Sequence, residues 1–117
     1  MSVAPGILNL TLSQGATWNV SMTYQNAEGQ PIDLTNYDAR MQARTSYDAA
    51  NALLDIADGS GIILGGTTGE VTISVPAGTT ANIPAAQYVY DLELVSASNE
   101  VTRLIEGTLI VTPEVTR

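Results

Sequence analysis

Between Thr17 and Gln25, every second residue is large and apolar. Trp18, Val20, Met22 and Tyr24 fall on one side of an extended chain, and Thr17, Asn19, Ser21 and Thr23 fall on the other. A period of two marks a strand with one buried face and one wet face. In a helix the same four apolar residues would scatter around the axis. The alternation returns in Gly69–Val75, where Val71, Ile73 and Val75 point inward, and in Tyr88–Val95, where Tyr88, Tyr90, Leu92 and Leu94 oppose Asp91 and Glu93. In Asp38–Ser46, Ala39, Met41 and Ala43 oppose Arg40, Gln42 and Arg44. The Ala, Met, Arg and Gln of residues 38–54 also favour helix, but the alternation decides for strand in the first half.

Shorter segments complete the pattern. Ile7–Leu12, Leu53–Ala57 and Ile62–Leu64 read as strands, and Pro31–Leu34 as a short extended piece. Val101–Thr112 is the last strand; it is apolar on both faces at Leu104-Ile105 and at Leu109–Val111, as a central position or a subunit contact would require. Gly107 within it marks a bulge or a close approach. Tyr47–Asn51 reads as a loop or helical turn, and Ala77–Pro84 as a helical turn with Thr79 or Thr80 as its cap. About eight short strands, punctuated by Gly, Pro, Asn and Asp, predict an all-β fold: an antiparallel β-sandwich, immunoglobulin-like or small-barrel-like. At 117 residues the chain reads as one domain, 1–117, with short terminal arms at 1–6 and 113–117 set off by Pro5 and Pro113.

Composition then narrows the chemistry. The chain has no His, no Cys and no Lys. It therefore lacks the usual general base near neutral pH and two of the usual nucleophiles. Transition-metal sites lose their commonest ligands, and no cofactor or metal is expected. Four basic residues (Arg40, Arg44, Arg103 and Arg117) stand against twelve acids, a net charge of -8. Scattered arginines on an acidic chain argue against nucleic acid and against anionic membrane surfaces. No apolar run approaches the ~20 residues of a membrane span. Met1–Gly6 lacks the basic and apolar regions of a secretory signal, so folding in a cytoplasm is expected.

The remaining constellations have plain structural readings. Asp91 and Glu93, two apart on one strand face, have the makings of an acid–base pair, but Arg40 and Arg44 on another polar face make cross-strand ion pairing the simpler reading. If those two strands are neighbours, Arg40 or Arg44 should touch Asp91 or Glu93. Asp55–Gly61 has oxygen ligands beside glycines, as calcium loops do, but it misses the EF-hand spacing and the closing Glu, and reads as a turn. Gly61–Gly69 is glycine-dense but has no phosphate-loop pattern and no Lys to complete one. Trp18, Tyr24, Tyr88 and Tyr90 alternate into the core, which leaves Tyr37 and Tyr47, near turns, as candidates for exposure. A Ser or Thr nucleophile would need a base, and with no His or Lys only a carboxylate could serve, which is an uncommon arrangement.

A wider resemblance lies in the order of the motifs. Gln14-Gly15-Ala16-Thr17-Trp18 is followed by Glu28–Tyr37, Ala39–Arg44, Gly69–Ile73, Tyr88–Leu94 and Val101–Gly107, and the chain closes on Val115-Thr116-Arg117. Over nearly its whole length the chain resembles a family of small β-sandwich structural proteins from tailed bacteriophages and prophages. Its layout is also similar to the N-terminal modules of baseplate and receptor-binding proteins. The resemblance implies a virion component in the tail, baseplate or fibre-attachment region, assembled in the host cytoplasm. It implies no enzymatic activity. The partners would be other virion proteins and copies of the chain itself in a homo-oligomer. Arg40, Arg44, Asp91, Glu93 and Arg103 match the family's recurrent charged positions, as structural ion pairs. A capsid decoration protein is the alternative within this class, and a carbohydrate- or receptor-binding module the alternative outside it.

Overall fold

A computed structural model describes residues 6–116 of the chain. It is nearly all β: β1 (Gly6–Ile7), β2 (Leu10–Ser13), β3 (Trp18–Thr23), β4 (Asp38–Arg44), β5 (Leu54–Asp58), β6 (Gly61–Leu64), β7 (Glu70–Val75), β8 (Ala86–Val95) and β9 (Val101–Thr112). Among the described residues the one α-helical turn, α1, spans Ala77–Thr80. Hydrogen bonding follows the path β1-β9-β8-β4-β5-β6-β7-β3, with β2 also on β9. The sheet curls into a half-barrel.

The alternation read from the sequence is realised in the buried positions. On β4 and β8, Met41 faces Leu92, while the small Ala39 and Ala43 face the bulky Leu94 and Tyr90. All six are buried. Pairing small with large lets two adjacent strands fill one layer without a void. From the other half of the sheet, Val71, Ile73 and Val75 of β7, Ile62 of β6 and Trp18 of β3 enter the same core. No buried side-chain polar atom among the described residues lacks a hydrogen-bond partner.

The pairing differs from an all-antiparallel arrangement in three places. β1 and β2 both run parallel to β9, and β5 meets β6 in a short parallel register at a tight turn. The segment Ile7–Leu12 is not one strand but two. Its break has a side-chain cause: Asn9 Oδ1 accepts hydrogen bonds from both the backbone N–H and the hydroxyl of Thr108. An Asn side chain that captures ladder groups competes with the ladder itself. Gly107 is a close approach rather than a bulge, since a Cβ there would lie 2.5 Å from the Leu8 carbonyl oxygen. The bulge falls two to three residues earlier, where Leu92 pairs with Ile105 but Glu93 pairs with Arg103, leaving Leu104 as the extra residue.

β2 and β3 adjoin in sequence yet lie at opposite ends of the pairing path, so the turn between them spans the gap left by the incomplete barrel. Three contacts stitch that seam. The Trp18 indole N–H donates to the Thr11 carbonyl at 3.1 Å. The Gly15 N–H donates to Thr80 Oγ1 at 3.1 Å, and that hydroxyl donates to the Ala16 carbonyl at 2.8 Å. Thr80 is fully buried and is not a helix cap: the N-cap position of α1 is Pro76, without a side-chain bond. The Pro31–Leu34 piece forms only an isolated bridge, Gln25 to Pro31, with Leu34 buried beneath it.

Of the terminal arms, residues 1–5 and 117 lie outside the described residues. Gly6 belongs to β1, and the Glu114 N–H is held by Gln14 Oε1 at 3.1 Å, so the body of the fold reaches further toward both termini than the arm boundaries 1–6 and 113–117 implied. No described helix is long and apolar enough to cross a membrane.

Candidate functional site

The outer face of β4, β8 and β9 gathers the charged residues singled out in the sequence. Antiparallel register sets them in rows. One row runs Arg40–Glu93–Arg103, and the next runs Gln42–Asp91–Glu106 and ends on Ile7 of β1. Arg40 Nε meets Glu93 Oε1 at 2.8 Å. Arg103 lies among three carboxylates: Glu106 at 3.3 Å, Asp91 at 3.5 Å and Glu93 at 4.0 Å.

The bulge at Leu104 explains how Arg103 reaches this face. In unbroken alternation Arg103 would share the inward side of Ile105, two residues on. The extra residue reverses the phase, so Ile105 is buried while Arg103 stands half-exposed outside. The doubled apolar pair Leu104-Ile105 is the sequence signal of that reversal, and Leu104 itself packs against the core.

Arg44 does not join the ion pairs. Its register partner on β8 is Val89, which offers no carboxylate. Its guanidinium instead donates to the Ala49 carbonyl at 2.9 Å and to Gln42 Oε1 at 2.8 Å. It thereby ties the turn after β4 to the sheet and orients Gln42. Glu106, which the sequence reading did not single out, belongs to the cluster through its i,i+3 relation to Arg103 across the bulge.

Between Gln42, Arg44, Tyr47, Asp91, Arg103 and Glu106 lies an open depression of about 280 Å³. Tyr47 stands at its rim and is 85% exposed. Tyr37, the other aromatic near a turn, packs against the core instead. Beneath the floor, Tyr90 is buried and donates its hydroxyl to the Leu8 carbonyl. Burial pushes that phenol up to about 12.

The electrostatics of the cluster describe a clamp. Burial raises the Asp91 carboxyl, Glu93 and Glu106 add repulsion, and Arg103 and Arg40 pull it back. The hydrogen bond to Glu106 and the charge of Asp91 hold the Arg103 guanidinium more firmly protonated. Arg103 thus occupies the space between the carboxylates that an acid–base pair would need free. No group of three or more acidic side chains among the described residues is arranged to hold a metal ion. Asp55 and Asp58 sit at exposed positions on β5, leading into the turn made by Gly59 and Gly61 at positive φ. No protein-family model matches the chain, and no curated protein matches it.

Proposed function

We propose that this chain is a structural and assembly protein of a tailed-phage virion, docking in the tail, baseplate or fibre-attachment region to other virion proteins and to copies of itself. The observation that carries the reading is the use made of the charged groups. Arg103 and Arg40 spend their hydrogen-bonding capacity on Asp91 and Glu93 of the neighbouring strand β8 and on Glu106 of β9 itself, which cross-links the sheet and ties these carboxylates into ion pairs. With a single aliphatic core behind it, such a surface suits docking rather than turnover. The motif order gives the reading its biological setting. We read the curl as a sandwich in which β6, β7 and β3 lie over β8 and β4, since both groups feed one core.

A carbohydrate- or receptor-binding module is the second reading. Tyr47 favours it, as an exposed ring beside Gln42, Arg44 and Asp91 could stack on a sugar while amide and charged groups bond its hydroxyls. Proteomics of purified particles, followed by immunogold labelling, tests the first reading: the chain is expected in stoichiometric amounts at one site on the particle. Its absence from particles, together with glycan-array binding abolished by Tyr47→Ala, would establish the second reading instead.

A further inference from the structure

We propose that β3 is a homotypic docking edge, on which a second copy of this chain adds its own β3 antiparallel about a two-fold axis through Ser21. The inference builds on the assembly reading above and names its contact.

β3 ends the pairing path, with β7 on one side only. The Tyr24 N–H bonds to the Gly69 carbonyl on the β7 side at 2.8 Å. Backbone direction alternates along an antiparallel strand, so Met22, Val20 and Trp18 also bond toward β7 while Asn19, Ser21 and Thr23 turn their N–H and C=O outward. The Gln25–Pro31 bridge is made by the Tyr24 carbonyl and the Asn26 N–H, in the phase that bonds toward β7, so it takes none of the outward groups. The opposite end of the sheet differs: β1 and β2 are very short, and the Trp18 indole occupies the Thr11 carbonyl.

Exposed edges are normally guarded by charge, Pro, a bulge or a cover. Trp18–Thr23 has no charge, no Pro and no bulge, in a chain with twelve acids. Its inward residues are also incompletely covered: Val20 and Met22 remain part-exposed where Val71, Ile73 and Val75 beside them are buried.

The same sequence is complementary to itself. A two-fold axis at Ser21 sets Ser21 against Ser21 of the second copy, Asn19 against Thr23, and Val20 against Met22. Hydroxyl and amide groups then meet on the outer face, and apolar side chains cover one another on the inner face. The pairing forms about six backbone hydrogen bonds. The nearest carboxylate on the outer face, Glu70, lies opposite Thr23 on β7. Strand spacing and rise place the two copies of Glu70 roughly 20 Å apart, well beyond the screening length of about 8 Å. A charged edge would set like charges directly opposite each other at such an axis; this one does not.

Ser21→Cys tests the geometry, because the chain has no native Cys. Facing Cα atoms of a hydrogen-bonded pair lie about 5.5 Å apart, within disulfide reach. Mild oxidation of the Ser21→Cys protein is expected to give a covalent dimer, and of Thr72→Cys, one strand inward, to give none. Ser21→Pro removes an N–H that the β7 ladder does not use. It is expected to leave the circular dichroism spectrum and melting temperature of the monomer near wild type while weakening self-association at least about tenfold in sedimentation. A wild-type protein that stays monomeric at millimolar concentration overturns the proposal. So does a dimer indifferent to Ser21→Pro, or equal cross-linking at positions 21 and 72. A cross-linking chain absent from virions would refute the virion reading alone; a virion component that fails to cross-link would refute the edge alone.

Discussion

On β4, β8 and β9 the outward positions hold Arg40, Arg103, Asp91, Glu93 and Glu106, while on β3 and β7 they hold Asn19, Ser21, Thr23, Thr72 and Ser74, with a single charge, Glu70, at the end of β7. The first surface is internally satisfied: Arg40 and Arg103 meet Glu93 and Asp91 across strand boundaries, and Glu106 meets Arg103 along β9. The second has one weak side-chain contact, Ser21 to Thr72 at 3.3 Å, and borders an unpaired edge. Both lie over the same core. The difference teaches that this molecule fixes one half of its surface by cross-strand ion pairs and leaves the other half with few side-chain contacts beside an unpaired edge. Six substitutions probe that division.

The largest effect is expected inside. Leu92, on the charged half, is fully buried between β4 and β9, and Leu92→Ala should cost about 3–4 kcal/mol by chemical denaturation. Met22, its inward counterpart at the free edge, is part-exposed, and Met22→Ala should cost about 1 kcal/mol. Equal losses would show that the two halves are packed alike and would remove the comparison. Next is the seam that joins the halves. Thr80→Val keeps the side-chain shape but orphans the Gly15 N–H and the Ala16 carbonyl, for an expected loss of about 2 kcal/mol. A neutral result would mean that water enters the seam freely.

Tyr90 offers a pH test confined to the charged half. Its phenol ordinarily titrates at 10.0 and is pushed up to about 12 in the fold. The unfolded chain therefore loses its proton first as pH rises. Stability from this group is complete below pH 10 and is lost between pH 10 and 12. Two pH units correspond to at most about 2.7 kcal/mol, and partial solvation reduces this to about 1–2 kcal/mol. Tyr90→Phe should flatten the alkaline limb of the stability profile. An unchanged limb would assign it to Tyr88, which burial also raises.

Much of the fold was legible from one period. Wherever a strand has one buried face, as in β3, β4, β7 and β8, alternation named both the element and its inward residues. Cross-strand contact between Arg40 and Glu93 followed from the same phase once β4 and β8 were neighbours. The features that were not legible depend on partners distant in sequence. Asn9 breaks a strand because Thr108 stands beside it, and Arg44 meets Val89 rather than a carboxylate because of register. The parallel pairing of β1 and β2 with β9 arises from how the two ends of the chain meet. Leu104-Ile105 did carry a signal, two adjacent apolar residues where one was due, but its meaning as a phase reversal appears only with β8 alongside.

The smallest effect separates the two surfaces most cleanly. Arg103→Ala leaves Asp91, Glu93 and Glu106 close together without their shared cation. Because all are substantially solvated, the loss at neutral pH should stay below about 1 kcal/mol. Its pH dependence is the useful part. Arg103 lowers the Asp91 carboxyl, so without it that group rises further above its unfolded value. A carboxyl raised in the fold destabilises when ionised and ceases to do so once protonated. The deficit of Arg103→Ala relative to wild type should therefore shrink as pH falls through the carboxylate range, and shrink again in molar salt, where the screening length falls to about 3 Å. Thr72→Ala on the opposite surface should shift stability by less than about 0.5 kcal/mol at every pH and salt concentration, since it removes only a weak exposed contact. If the Arg103 deficit were flat in pH and salt, the arginine would be acting through the packing of its methylene stem, and the charged surface would be no more self-sufficient than the hydroxyl one.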